Sequence, residues 1–216
     1  MTDEALAVVS FVLGPVGTNA YLVADPATGD AAVIDPAWDG QVIVDEARRR
    51  GWRLQGIWLT HAHFDHFGGA AAVAEAFNVP VALHPDDQTL WRFHGGAPLF
   101  GFPQFDPGPE PTLSLSHGME LRLGGHVLEV RHTPGHSPGH VIFVAHHGGP
   151  VFCGDLIFQA SVGRTDLPGG DWDTLLASIQ REIFTLPDDT QLLSGHGPAT
   201  TVAEERRWNP FLTGLV

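Results

Sequence analysis

The segment His61-Ala62-His63-Phe64-Asp65-His66 places four potential metal donors within six residues. In an extended stretch, residues two apart point to the same side, so His61 and His63 reach one ion together. Asp65 and His66 lie past a turn and face a second. Four donors this close in sequence do not close on a single tetrahedral ion without strain, which favours two ions. Three further donors stand at predicted strand ends, each directly after a glycine that lets the backbone turn sharply: His136 after Gly135, Asp155 after Gly154 and His196 after Gly195. Two divalent ions ~3.5–4 Å apart share a water and lower its pKa toward neutrality. The bridging hydroxide attacks a carbonyl carbon, and the oxyanion develops against a Lewis acid. Asp65 and Asp155 are the candidate catalytic carboxylates, each able to take up the remaining proton. A thiolate leaving group, with a solution pKa of ~8.5, needs little help from a general acid. No obvious acid stands in the pattern, so a small-molecule thioester suits such a site better than an amide does.

These residues need a scaffold that ends strands at one edge. Val8–Leu13, Ala20–Ala24 and Ala31–Asp35 read as short strands separated by Gly-Pro, Asp-Pro and Thr-Gly-Asp punctuation. A helix follows, with Asp39 as N-cap, Val42, Ile43 and Ala47 on one face, and Arg48-Arg49-Arg50-Gly51 closing it. Leu54–Thr60 is a strand running into the histidine segment, and an alanine-rich helix covers roughly Gly69–Phe77. Val79–Leu83 is a strand and Asp86–Phe93 a helix. Gly95–Pro111, rich in Gly, Pro and Phe, reads as a long surface loop. Glu120–Leu123 and His126–Arg131 form a hairpin across Gly124-Gly125. Val141–Ala145 and Val151–Cys153 are strands, Trp172–Phe184 is a helix capped by Asp171, Gln191–Ser194 is a strand and Val202–Arg207 a short helix. Strands in both halves with helices between them predict a layered α/β domain spanning 1–216.

Thirteen histidines in 216 residues is the compositional outlier. Hydrophobic residues make up 43% and charged residues 17%, enough apolar material for a core. The net charge is −14 and all 11 basic residues are arginine, which disfavours a nucleic-acid partner. Cys153 is the one cysteine, so no intrachain disulfide forms, and it reads as core packing. The acidic Met1-Thr2-Asp3-Glu4 start lacks the features of a signal peptide, and no apolar run approaches the ~18 residues that span a bilayer. The expectation is a cytoplasmic protein without a membrane partner; its oligomeric state is left open. Asp35 is a candidate to orient a ligand histidine or to cap a turn. Arg164 is a candidate for binding a substrate carboxylate, with an internal pair to Asp166 or Asp171 as the competing reading. His132 and His140 are read as packing around His136 or supporting it.

The ligand pattern resembles that of the metallo-β-lactamase superfamily, and the similarity runs from Gly17-Thr18-Asn19-Ala20-Tyr21-Leu22 onward. The resemblance implies His61, His63 and His136 on a first metal, Asp65, His66 and His196 on a second, and Asp155 bridging both. It implies an αβ/βα sandwich, two mixed β-sheets flanked by helices, with the metals at one edge. The segments Ser161–Asp171, Gly195–Pro198 and Glu204–Phe211 look like those of small, single-domain glyoxalase II-like (hydroxyacylglutathione hydrolase-like) proteins. That narrower resemblance implies hydrolysis of 2-hydroxyacyl thioesters such as S-lactoylglutathione. The expected cofactors are two divalent metal ions, zinc in the first place, with iron and manganese also accepted by N/O donors. Larger glyoxalase II enzymes carry a further C-terminal helical domain that helps grip glutathione, whereas this chain stops about twenty residues after His196 and has no lysine. The thiol carrier therefore need not be glutathione. The alternative is a mono-iron persulfide dioxygenase of the same superfamily. A β-lactamase is a further reading, set back by Asp155 in place of a cysteine, and a nuclease is disfavoured by charge.

Overall fold

The computed structural model describes residues 5–214; the acidic start at residues 1–4 lies outside them. The first half builds a six-stranded sheet in sequence order: β1 (Ala7–Leu13), β2 (Thr18–Ala24), β3 (Asp30–Ile34), β4 (Arg53–Trp58), β5 (Val81–Leu83) and β6 (Leu113–Ser114). β1 to β3 are antiparallel and β3 to β6 parallel. The parallel steps need crossovers, and the helices α1 (Gly40–Arg50), α2 (Phe64–Phe67), α3 (Ala70–Phe77) and α4 (Gln88–Arg92) fall within those connections. The second half builds another sheet from β7 (Glu120–Leu123), β8 (His126–His132), β9 (Val141–Ala145) and β10 (Val151–Gly154). A two-stranded ribbon, β11 (Ile157–Phe158) with β12 (Ser161–Val162), and α5 (Trp172–Glu182) intervene. Then β13 (Gln191–Ser194) and β14 (Thr200–Thr201) complete the sheet in the order β14-β13-β10-β9-β8-β7, and α6 (Val202–Trp208) follows.

Period-two alternation decides the layering. In β2, Ala20, Leu22 and Ala24 pack toward α1 and α3, while Tyr21 and Val23 face the other sheet. In β9, Val141, Phe143 and Ala145 face the first sheet, while Ile142 and Val144 pack with Leu175 and Ile179 of α5. Strands buried on both faces read as continuous apolar runs, which is why these segments show little alternation in sequence. The result is two mixed sheets packed face to face with helices on both outer faces, the αβ/βα sandwich. Trp58 meets Phe143 (centroids 5.9 Å apart) and Tyr21 meets Phe152 (5.3 Å) across the inter-sheet layer. The Tyr21 hydroxyl donates to Ser194 O at 2.6 Å, tying the first sheet to β13.

Several local expectations need correction. Asp39 does not cap α1: its backbone is left-handed (φ 31°) and its side chain makes no cap bond. The cause is packing under α2. Ala37 N–H donates to His66 O, Gly69 N–H donates to Ala37 O, and Gly40 lies so close to Gly69 that a Cβ would strike its carbonyl. That close crossing bends residues 35–39 out of the conformation a cap needs. Val42 is exposed, and Ile43, Val44 and Ala47 form the inward face. The stretch 95–111 is not simply a surface loop. Residues 94–100 make short 3₁₀ turns broken by a kink at Gly95 and Gly96, where φ is positive, and the stretch buries Ala97 and Phe105. Phe102 and Phe105 pack on Trp38 at 5.2 and 5.7 Å, a tertiary contact with no local periodicity to announce it. The short strands β6, β11, β12 and β14 leave no mark in the sequence, since two residues carry no pattern. The hairpin across Gly124-Gly125 and the Asp171 cap, which accepts from Thr174 N, are as expected. Among the described residues no helix is long and apolar enough to cross a membrane.

Phe143 is fully buried between the sheets. Phe143→Ala should cost about 3–5 kcal/mol, read as a lower denaturation midpoint at unchanged slope in urea.

Candidate metal centre

All seven donors come together at one edge of the sandwich, on loops that leave strand ends. His61 and His63 follow β4, and Asp65 and His66 lie on the short α2. His136 lies between β8 and β9, Asp155 follows β10 and His196 follows β13. His61 and His66 are completely buried and His136 almost so. The rings of His61, His63 and His136 stand 4.6–4.8 Å apart and nearly perpendicular to one another. Asp65, His66 and His196 form a second group, with His196 Nε2 3.2 Å and His66 Nε2 3.5 Å from Asp65 Oδ2. Asp155 lies between them. Its carboxylate is 3.6 Å from His136 Nε2 on one side, and 3.3 Å from His66 Nε2 and 3.6 Å from His196 Nε2 on the other.

Hydrogen bonds on the outer nitrogens set the tautomers. His136 Nδ1 donates to Arg164 O at 2.7 Å and His66 Nδ1 donates to Asp35 Oδ2 at 2.9 Å. Thr60 Oγ1 spends its proton on Asp35 Oδ2 (2.6 Å), so it accepts from His61 Nδ1 (3.0 Å). The inner nitrogens of all three imidazoles therefore carry bare lone pairs in their neutral form. His61 Nε2 and His136 Nε2 face each other at 3.2 Å. His66 Nε2 and Asp155 Oδ1 are buried without any hydrogen bond among the described residues. Facing lone pairs and an orphaned carboxylate oxygen are relieved by cations, and a set of imidazole nitrogens and carboxylate oxygens fits divalent metal ions.

Charge states agree with this. Burial, with His66 and His136 alongside, pushes the His61 imidazole well below its ordinary value. Burial and His136 push His63 down to about 3. Burial would raise the Asp65 carboxyl, but His66 and His196 outweigh it and hold it down to about 2. Asp155 lies further below the carboxylate range, with His66 and His136 overcoming its burial. His66 is raised despite burial, because Asp155, Asp65 and Asp35 surround it. The pocket thus calls for positive charge that either protons or metal ions supply.

Glycine is required where the ligand loops cross. Gly154 has φ 47°, and a Cβ there would strike Thr60 Oγ1; a Cβ at Gly195 would strike Asp155 Oδ1 and His66. The stretch Gly17-Thr18-Asn19 braces this edge. Asn19 Nδ2 donates to Ser194 O and Gly197 O, both at 2.8 Å, and Thr18 Oγ1 donates to Asp65 Oδ2 at 2.9 Å. His140 stands behind the donors: its Nε2 accepts from Asp155 N at 3.1 Å and positions that residue. His132 stacks on His84 (centroids 4.1 Å, planes 9° apart), and in-plane lone pairs of parallel rings do not converge on one ion.

Two supporting residues carried no signal in sequence. Asp87 is fully buried and accepts from Ala62 N (2.9 Å), Ser137 Oγ (2.7 Å) and Gly139 N (2.6 Å), locking the His61–His66 loop to the His136 loop. In sequence it is one of two aspartates at a helix start. Thr60 is equally ordinary in type. Arg164 lines a cleft of about 170 Å³ together with His63, Asp65, His136, Asp155 and His196. Its guanidinium is forked onto Asp166 through two 2.7 Å bonds.

Residues 13–196 match the family model of the metallo-beta-lactamase superfamily. The chain belongs to that superfamily. It is 40% identical over 208 residues to "Probable metallo-hydrolase YqgX" of Bacillus subtilis, covering 94% of this chain and 96% of that one. It is 36% identical over 185 residues to "Hydroxyacylglutathione hydrolase GloC" of Haemophilus influenzae, covering 85% and 87%. Among solved structures it is similar to the BLEG-1 B3 metallo-β-lactamase, with a TM-score of 0.90, 39% identity and coverage of 96% and 100%. It is also similar to TTHA1623 in a di-iron-bound form, with a TM-score of 0.86, 43% identity and coverage of 95% and 100%.

Asp35 orients His66 directly and His61 through Thr60, so it serves both donor groups at once. Asp35→Asn keeps a residue type that tolerates the left-handed backbone at this position (φ 47°) but loses a charged acceptor. It should weaken divalent-metal affinity about 10–100-fold, measured by competition with a chromogenic chelator, without a comparable loss of folding stability.

Proposed function

We propose that the protein is a hydrolase holding two divalent metal ions, zinc in the first place, and that it cleaves 2-hydroxyacyl thioesters such as S-lactoylglutathione. The observation that carries this reading is the Asp155 carboxylate standing within 3.6 Å of both donor groups. The likeness to a hydroxyacylglutathione hydrolase supports the substrate class.

When bound, such ions supply Lewis acidity and bring the pKa of a water toward neutrality. The chain's residues do the rest. Asp65 is held in place by Thr18 and lines the cleft, so its ionised carboxylate is placed to accept a proton from water as the C–O bond forms. His140 and the backbone around Gly154 hold Asp155 still, which limits reorganisation during the reaction. Water adds to the carbonyl carbon, the C–S bond breaks, the electron pair leaves on sulfur, and the products are a carboxylic acid and a thiol. Arg164 is positioned to meet a carboxylate at the cleft mouth by exchanging its exposed partner Asp166; exposed pairs of this kind contribute little and exchange readily.

Hydrolysis of a β-lactam amide is a second reading, favoured by the likeness to a B3 metallo-β-lactamase. Steady-state kinetics on S-lactoylglutathione, a cephalosporin and glutathione persulfide separate the possibilities. Thioester turnover should exceed lactam turnover. Oxygen consumption with the persulfide and no hydrolysis of any thioester would establish the mono-iron dioxygenase instead. Elemental analysis should give two metal ions per chain. Asp155→Ala should retain the fold, judged by circular dichroism, yet lose more than about 100-fold in kcat/KM together with part of the bound metal. Turnover and metal content like the wild type would remove Asp155 from the site.

A further inference from the structure

We infer that the substrate's acyl group carries an apolar chain, held in a hydrophobic groove that continues from the metal cleft; this rests on the thioester reading above. The groove has a volume of about 400 Å³ and is walled by Leu90, Phe93, Leu99, Phe100, Leu167 and Pro168. His63 is its one polar side chain among the described residues, and it is also a donor of the metal centre. His63, Gly95, Phe100 and Leu167 line both the groove and the metal cleft, so the two spaces are continuous. The size is that of a small-molecule site rather than of a packing defect.

The exposure of its wall calls for an occupant. Leu99 is 84% and Phe93 72% exposed, on a segment whose neighbours Ala97 and Phe105 are buried. The segment is therefore anchored from beneath while it presents apolar groups to the cleft. Adjacent exposed apolar side chains of this size mark a binding surface. Charge indicates the kind of ligand. The protein has no lysine, and no guanidinium of the described residues lines the groove; Arg164 borders the metal cleft alone. A polyanionic arm finds no unpaired cation in the groove, whereas a hydrocarbon arm gains by leaving water.

Chemistry also sets the direction. In hydrolysis the C–S bond breaks with its electron pair on sulfur, and the proton released by water ends on the thiolate or in solvent. An apolar groove solvates a departing thiolate poorly. The thiol therefore takes the part of the cleft outside the groove, which Val16 and His196 line, and the acyl chain takes the groove. A 2-hydroxyl on that chain remains at the metal end and does not conflict with this placement.

Acetyl, butanoyl, hexanoyl and octanoyl thioesters of one uncharged thiol, N-acetylcysteamine, test this on the metal-loaded protein. The kcat/KM should rise about three- to fourfold per methylene, and Phe93→Asp and Leu99→Asp should each flatten that slope. Calorimetry with octanoate and acetate reads the groove without turnover: octanoate should bind more than about tenfold tighter, and both variants should abolish the difference. A flat chain-length series on an active enzyme overturns the groove assignment and leaves the hydrolase reading standing. No turnover of any thioester, with octanoate still preferred, sinks the hydrolase reading and keeps the groove. Octanoate binding no tighter than acetate overturns the groove whatever the activity. Self-association that Leu99→Asp breaks while the chain-length slope stays unchanged assigns the patch to a second copy, which also overturns it.

Discussion

Neutral imidazoles with their lone pairs turned inward, packed against two ionised carboxylates in a buried pocket, repel one another unless a cation stands between them. His61 Nε2 and His136 Nε2 at 3.2 Å, and the orphaned His66 Nε2 and Asp155 Oδ1, express that constraint directly. Much of the surrounding architecture is organised to hold this arrangement. Asp35 accepts from Thr60 N, Thr60 Oγ1 and His66 Nδ1, so one buried carboxylate fixes a ligand in each donor group. Asp87 does the same for two loops, and His140 for Asp155. Ligands held by such partners keep their tautomer and direction, which is what an outer layer of hydrogen bonds contributes to a metal centre.

The backbone is bent to serve the same end. Asp35, Ala37 and Asp39 all have positive φ within five residues. Left-handed conformations at non-glycine residues cost free energy, and they persist where the surrounding structure over-determines them. Here the determinants are the crossing under α2 and the buried bonds of Asp35. The capping geometry that Asp39 would otherwise adopt is lost in the process. A local rule is broken next to the site because a tertiary requirement outweighs it.

The polar cleft and the apolar groove adjoin, sharing His63, Gly95, Phe100 and Leu167. The polar end gathers the imidazoles and carboxylates of the candidate metal centre. The apolar wall from Leu90 to Phe100, with Leu167 and Pro168, belongs to connecting segments, which is where specificity is commonly built on a common scaffold.

Much of this was legible in the sequence. The six-residue donor cluster announced itself by density, and His136, Asp155 and His196 by position after strand–glycine junctions. The longer strands followed from apolar runs, their division into two packed sheets from the family resemblance alone, and the Asp171 cap and the Gly124-Gly125 hairpin from local rules that tertiary packing did not disturb. Other features were not legible, because they depend on residues far apart in sequence meeting at one point. Asp87 and Thr60 are ordinary residue types that become structural keys only where separate loops cross. Phe105 is buried by contact with Trp38 and Phe67, not by any period of its own. The sequence by itself determined which atoms could bind metal and the strand pattern that carries them. The tertiary structure decided which nitrogens face inward, how the two donor groups stand around Asp155, and that an apolar groove opens beside them. Those are relations of distance and direction between loops, and hydrogen bonds and packing set them only once the two sheets have closed on each other.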